Sequence, residues 1–136
     1  DVDTETGQLL NVKFYHCAGG GQALNAKDTK AQILRIHHGF ESVLGATMIL
    51  DNGTGRLLNG SYIDYPVATM WDCDVNPYYI ESGNDPTHPY GAVGLGQALQ
   101  NALHAAVANA IYNAIGVRIK ETPMTPDVIL KALGKI

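Results

Sequence analysis

Over residues 101–114 the chain is rich in alanine, and Leu103, Val107, Ile111 and Ile115 recur at four-residue steps. Residues four apart share a helix face, and alanine is the strongest helix former. The spacing therefore predicts a helix that must bury one apolar face against another element. Gly116 stands where this helix should end, as its C-cap. Directly before the helix lies a glycine-rich turn, Pro89-Tyr90-Gly91-Ala92-Val93-Gly94-Leu95-Gly96-Gln97. Glycines at this density let a loop turn sharply before a helix, or let it present its last side chain to a ligand.

The flanking segments predict a mixed fold. Residues 1–3 and 9–15 flank Glu5-Thr6-Gly7-Gln8 and predict an opening β-hairpin turned at Gly7. Ala18-Gly19-Gly20-Gly21 predicts a break into a flexible or ligand-hugging loop. Apolar Ile33, Ile36, Phe40, Val43, Leu44 and Met48 predict one helix over about residues 28–48, capped by Asp28 or Thr29. A turn at Asp51-Asn52-Gly53-Thr54-Gly55 leads to an expected strand at 56–62, and another is expected at 75–80, shifted or edged by Pro77. Residues 117–121 read as a final strand, and Thr125-Pro126-Asp127 opens a last helix closed by Gly134. The sum is α+β: hairpins and short strands packed with two to three helices, residues 1–136 forming one folding unit or one lobe of a larger one.

Composition removes several alternatives. The 136 residues are 46% hydrophobic and 16% charged, enough for a packed core. A net charge of −4 and no basic stripe argue against nucleic-acid binding. Cys17 and Cys73, far apart and outside any C-x-x-C pair, suggest neither a disulfide framework nor an iron-sulfur site, so a reducing cytoplasm is expected. No apolar run approaches the roughly 20 residues that span a bilayer. The chain opens on Asp1 rather than Met, which reads as a fragment whose natural start lies elsewhere.

Several short stretches, in order, carry a family resemblance. Val2-Asp3-Thr4-Glu5-Thr6-Gly7, Gly21-Gln22-Ala23-Leu24-Asn25, Gln32-Ile33, the run from Arg56 to Tyr65 through Leu57-Leu58-Asn59-Gly60, the Gly91 loop, the run from Ala106 to Ile119, and Pro123-Met124-Thr125-Pro126-Asp127 resemble the C-terminal part of the molybdopterin-binding subunit of the xanthine dehydrogenase and aldehyde oxidase family. The resemblance implies one lobe of a molybdenum-cofactor-binding domain in a hydroxylase of aldehydes or N-heterocycles. It implies a molybdenum-molybdopterin cofactor shared with an upstream part of the same subunit or a partner subunit, and electron transfer through iron-sulfur and flavin subunits. Gln32, Gly94 and Gly96 are the implied cofactor contacts, and no metal ligand is assigned to this chain's own side chains.

The departures cluster where the chemistry would be. The family's loop reads roughly P-Y-G-A-K-G-x-G-E, and its glutamate is the base that deprotonates the hydroxyl ligand on molybdenum; here that position is Gln97, and the lysine is Val93. Glutamate, with a pKa near about 4.3, is ionised at neutral pH, whereas a glutamine amide cannot take a proton. General-base help is worth about 10²- to 10⁴-fold, so the resemblance implies an impaired site. The glycine-rich helix start expected after Gln32-Ile33 is instead Leu34-Arg35-Ile36-His37-His38, bulky and partly charged. The alternative is a non-catalytic scaffold or assembly module that keeps the fold, with a homo-oligomer as one form of it.

Other candidates have equally simple structural readings. Gln32 could contact a pterin or phosphate near a helix start, aided by the positive end of the helix dipole, or be a solvated amide. His37 and Glu41 share a helix face at four-residue spacing, but a metal site would need a third ligand from elsewhere. His88 and His104 read as a loop and a helix residue. Tyr62, Tyr65, Trp71, Tyr78 and Tyr79 could line a substrate funnel or build a core or an interface.

Overall fold

The structure, a computed structural model, describes residues 1–83 and 85–136, with His37, His38, Glu41 and Leu99 described by backbone alone. The Gln32, Gly94, Gly96 and Gln97 candidates all lie among the described residues, while the His37 and Glu41 pairing lies outside them.

Two seven-residue strands, β1 (Lys13–Gly19) and β2 (Asp74–Ile80), pair in parallel with Lys13 opposite Asp74 and Gly19 opposite Ile80. Between them the chain forms α1 (Ala26–Leu34) and α2 (Ile36–Leu44), and after β2 come α3 (Leu103–Ile115) and α4 (Pro126–Ala132). The α+β expectation holds. Among the described residues there are four α-helices rather than two to three.

The extra helix arises because the expected 28–48 helix is two. Asn25, not Asp28 or Thr29, is the N-cap: its side chain accepts hydrogen bonds from the backbone N–H groups of Lys27 and Asp28. At Arg35 the backbone N–H turns back to the carbonyls of Gln32 and Ile33, and a new helix begins at Ile36. The break lets the two halves serve different apolar clusters. Ile33 packs with Ala18, Tyr79 and Leu95, whereas Ile36, Phe40 and Val43 enter the main core with Leu103, Val107 and Ile111 of α3 and Ile129 of α4. Phe14 of β1 meets Phe40 edge to face at 5.3 Å. α2 ends at Leu44, and Met48 is exposed.

The α3 expectation is met closely: Leu103, Val107 and Ile111 are buried, and Gly116 adopts φ 72° as the left-handed cap, its N–H on the carbonyl of Tyr112. The terminal helix starts with Pro126 in its first turn, after Thr125.

Three expected elements are corrected. The opening hairpin is reduced to a single antiparallel bridge, Val2 with Leu9, because Asn11 at φ 51° bends the chain before β1 begins at Lys13. Residues 56–62 make one bridge, Leu57 with Leu50, and no strand. The side chain of Asn59 takes the place of a ladder there, accepting from the N–H of Ile49 at 2.8 Å and donating to the carbonyl of Thr47 at 2.7 Å. Residues 117–121 also form no strand; Ile119 instead inserts into the core.

The glycine triplet is also not a loose loop. β1 continues through Ala18 and Gly19, and Gly21, at φ 69°, bridges Ala92. Gln22 donates to the carbonyl of Gly91 and Val93 to that of Gly20, both at 2.9 Å. A Cβ on Gly21 would fall against the Gly91 carbonyl oxygen, so this loop-to-loop contact by itself requires glycine.

Candidate functional site

The docking of the two loops fixes the direction of the chain after Gly91. Pro89–Gly91 is a single 3-10 turn in which Tyr90 has φ 58°, and the Tyr79 hydroxyl donates to the carbonyl of Gly21 at 3.0 Å behind it. From Val93 the chain leaves this anchored crossing, passes through Gly94 and Gly96, and enters a second 3-10 turn, Gln97–Leu99. That turn brings the loop alongside the end of α1.

Gln32, Arg35, Gly96, Gln97 and Gln100 together line a solvent-open cleft of about 180 Å³. Thus Gln32, Gly96 and Gln97, 64 and 65 positions apart in sequence, meet in space, while Gly94 is outside the lining. An added Cβ at Gly94 or Gly96 would meet nothing within 4 Å, in contrast to Gly20 and Gly21. Val93 faces Gly21 rather than the cleft.

Gln32 is in the last turn of α1, not near a helix start, because Asn25 begins that helix at Ala26. The positive end of the α1 dipole is therefore remote from it. The local cation is Arg35 at the C-terminal end of the helix, where a positive charge is favoured. Its Nη1 donates to Gln32 Oε1 at 3.0 Å. With the Gln32 carbonyl oxygen so engaged, the amide nitrogen is left to donate. Arg35, one of the bulky and partly charged residues after Ile33, and Gln100 are the two lining residues that the family resemblance does not mark; the three-residue spacing of Gln32 and Arg35 is the local signal for their pairing.

The five lining residues carry one guanidinium, three amides and no carboxylate. Such a set can donate several hydrogen bonds and attract negative charge, and it contains no group that takes a proton near neutral pH. Among the described residues, no three His, Cys, Asp or Glu side chains stand together as a metal-ligand set.

The remaining candidates lie elsewhere. His104, on α3, is 2.9 Å through Nε2 from Ser42 Oγ, which donates to the Gly39 carbonyl, so the pair ties α2 to α3. His88 closes a turn with Asp85 and Thr87, whose hydrogen bonds hold the Asp85 carboxyl below its usual range, the Thr87 hydroxyl first among them. Tyr62 and Tyr65 line a separate groove with Met48 and Leu57, on the segment between α2 and β2. Trp71, on the same segment, is 98% exposed, and Ile63 93%. Among the described residues no helix is long and apolar enough to cross a membrane.

No family model matches the chain. It is 46% identical over 97% of its length to the aldehyde oxidoreductase of Megalodesulfovibrio gigas, of which it spans 14%. It is 32% identical over 88% of its length to the xanthine dehydrogenase molybdenum-binding subunit of Escherichia coli O157:H7, spanning 15% of that protein. The crystal structure of quinoline 2-oxidoreductase from Pseudomonas putida 86 superposes on 98% of the chain with a TM-score of 0.82 at 24% identity, and the match occupies 17% of that chain. The chain thus spans less than a fifth of the length of these proteins.

Proposed function

We propose, from the premise that this chain belongs to the xanthine dehydrogenase and aldehyde oxidoreductase family of molybdenum-binding subunits as one segment of such a subunit, that it helps hold a molybdenum-molybdopterin cofactor and is incomplete alone. The observation that carries this reading is the meeting of Gln32, Gly96 and Gln97 in one cleft.

The cleft residues fit the holding of such a group and not its proton chemistry. Amide and guanidinium N–H groups suit the anionic and carbonyl oxygens of a pterin cofactor. The unfilled space where Cβ atoms of Gly94 and Gly96 would stand suits the close approach of a ligand to backbone. A 180 Å³ cleft open to solvent does not enclose a cofactor, so the upstream part of the subunit would supply the other walls.

When bound, the cofactor supplies the oxidation of an aldehyde or N-heterocycle carbon. Gln97 can hold a substrate or cofactor oxygen through its amide nitrogen but accepts no proton at neutral pH. The segment is therefore a weak catalyst or none in the usual reaction. The second reading, a non-catalytic scaffold or assembly module, possible also as a homo-oligomer, is favoured by this same Gln97.

Ile63, Met70 and Trp71, all strongly exposed on the segment between α2 and β2, support incompleteness, since large apolar side chains left in solvent suit an interface. The partner in this reading is the upstream part of the subunit, in a complex with iron-sulfur and flavin subunits in the cytoplasm. Trp71 is the sole tryptophan, so 5-fluorotryptophan in this chain gives one fluorine resonance. Mixing the labelled chain with the upstream part should shift that resonance and shield it from solvent. An unshifted, solvent-open signal would contradict the docking, and a shift that depends only on this chain's own concentration would favour the homo-oligomer.

A further inference from the structure

We propose that Leu95 is the positioning residue of the cleft: its side chain, seated with Ile33 and Tyr79, sets where Gln97 stands relative to Gln32. The inference deepens the cofactor reading given above and rests on it for the consequence, while the placement itself rests on packing.

Residues 94–97 need such an anchor. Gly94 and Gly96 stand in open space, where an added Cβ would meet nothing within 4 Å, and glycine has the most backbone freedom to lose on ordering. Leu95, between them, packs together with Tyr79 against the buried pair Ala18 and Ile33. Its Cδ1 lies 3.1 Å from where a Cβ on Gly20 would stand, so the methyl occupies space that the missing side chain of Gly20 leaves. The Tyr79 ring beside it is itself held, since its hydroxyl donates to the Gly21 carbonyl at 3.0 Å. The ends of β1 and β2, α1 and the loop therefore converge on one leucine.

This seat couples the two sides of the cleft. Ile33, 1% exposed, follows Gln32 in the last turn of α1, and Leu95 stands two residues before Gln97. One apolar contact thus sets α1 and the loop in register. The flanks of the loop are held separately: Val93 donates to the Gly20 carbonyl at 2.9 Å, and beyond the loop Gln100 and Asn101 donate to the Gln97 carbonyl at 2.9 and 3.2 Å. Those bonds fix its two ends and leave its approach to α1 to Leu95. Leu95 is not among the cleft-lining residues, so it acts through Gln97 rather than by touching a ligand.

The test is nitrogen-15 relaxation on the full 136-residue chain, with Leu95→Ala, the volume-conserving Leu95→Met, and Gly20→Ala, which narrows the same seat with Leu95 intact. Backbone order parameters over 94–97 are expected near about 0.85 in the unmodified chain and in Leu95→Met, and below about 0.6 in Leu95→Ala and Gly20→Ala. Backbone resonances of α3 should stay unchanged in each variant. A loop already mobile in the unmodified chain, an ordered loop in Leu95→Ala, or mobility spread equally over α3 would overturn the proposal. In the complex with the upstream part of the subunit, Leu95→Ala should lower molybdenum occupancy on the order of tenfold, and Leu95→Met should restore it. Full occupancy in the Leu95→Ala complex would equally overturn the proposal. The relaxation measurement involves no molybdenum, so an unmodified complex that lacks the metal would sink the cofactor reading, while the placement of Gln97 by Leu95 stands or falls on the order parameters.

Discussion

Arg35 Nη1 lies 3.0 Å from Gln32 Oε1, joining the break between α1 and α2 to the one amide of α1 that faces the Gln97 turn. The break and the cleft are one feature: the turn at Arg35 ends α1 beside the Gln97 turn and starts α2, whose Phe40 and Val43 are buried in the main core.

Gln97→Glu restores a carboxylate to the cleft. In the chain assembled with the rest of a molybdenum-binding subunit, aldehyde oxidation should rise by about 10²- to 10⁴-fold if the missing base limits turnover. Steady-state kcat for an aldehyde before and after the substitution is the measurement. An unchanged kcat at full molybdenum occupancy would contradict the proposed role of position 97.

Asn59→Ala should loosen the segment between α2 and β2. Asn59 is 5% exposed, and its loss leaves the N–H of Ile49 and the carbonyl of Thr47 without their partner. The expected cost is about 1–3 kcal/mol in urea unfolding, with faster amide exchange at Ile49.

Gly21→Ala should be far more damaging than Gly94→Ala. At Gly21 the added methyl meets the Gly91 carbonyl and the backbone has φ 69°, whereas at Gly94 it meets nothing within 4 Å. A loss of more than about 2 kcal/mol is expected for the first, from the left-handed backbone and the clash together. Gly94→Ala should leave the melting temperature unchanged and lower cofactor retention if a ligand approaches there.

His16 gives the protein a defined acid sensitivity. Its Nδ1 is buried without a hydrogen-bond partner, and burial holds its pKa below the usual histidine value. Above the unfolded value of about 6.5 both states are neutral and stability is at its full level. As pH falls below that value the unfolded chain takes up a proton that the folded chain resists, so stability declines until the lowered folded pKa is passed. Urea midpoints at pH 7.5 and 5.5 should differ, and His16→Phe should reduce that difference.

The elements that the sequence made legible are those in which local pattern and tertiary demand agree. In α3 the four-residue apolar step, the alanines and Gly116 all specify the same helix, and the structure keeps all of them. At 28–48 the apolar period runs unbroken across Arg35, so nothing local announces that Ile33 and Ile36 serve different clusters. At 56–62 the β-like run has no partner strand beside it, and Asn59 satisfies the backbone by side chain instead. The cleft is half legible: the family resemblance marks Gln32, Gly96 and Gln97 and the three-residue spacing pairs Arg35 with Gln32, but only the helix break and the 97–99 turn bring that pair to Gln97 and Gln100.

The central claim, that this segment helps hold a molybdenum cofactor as part of a larger subunit, is tested most directly by metal content. Molybdenum is quantified by elemental mass spectrometry in the chain purified alone and in the chain purified as a complex with the upstream part of the subunit. The account predicts little metal in the first sample and near-stoichiometric molybdenum in the second, lowered by Gly96→Val. Molybdenum absent from a well-formed complex would contradict it and leave a scaffold that has kept the family's fold.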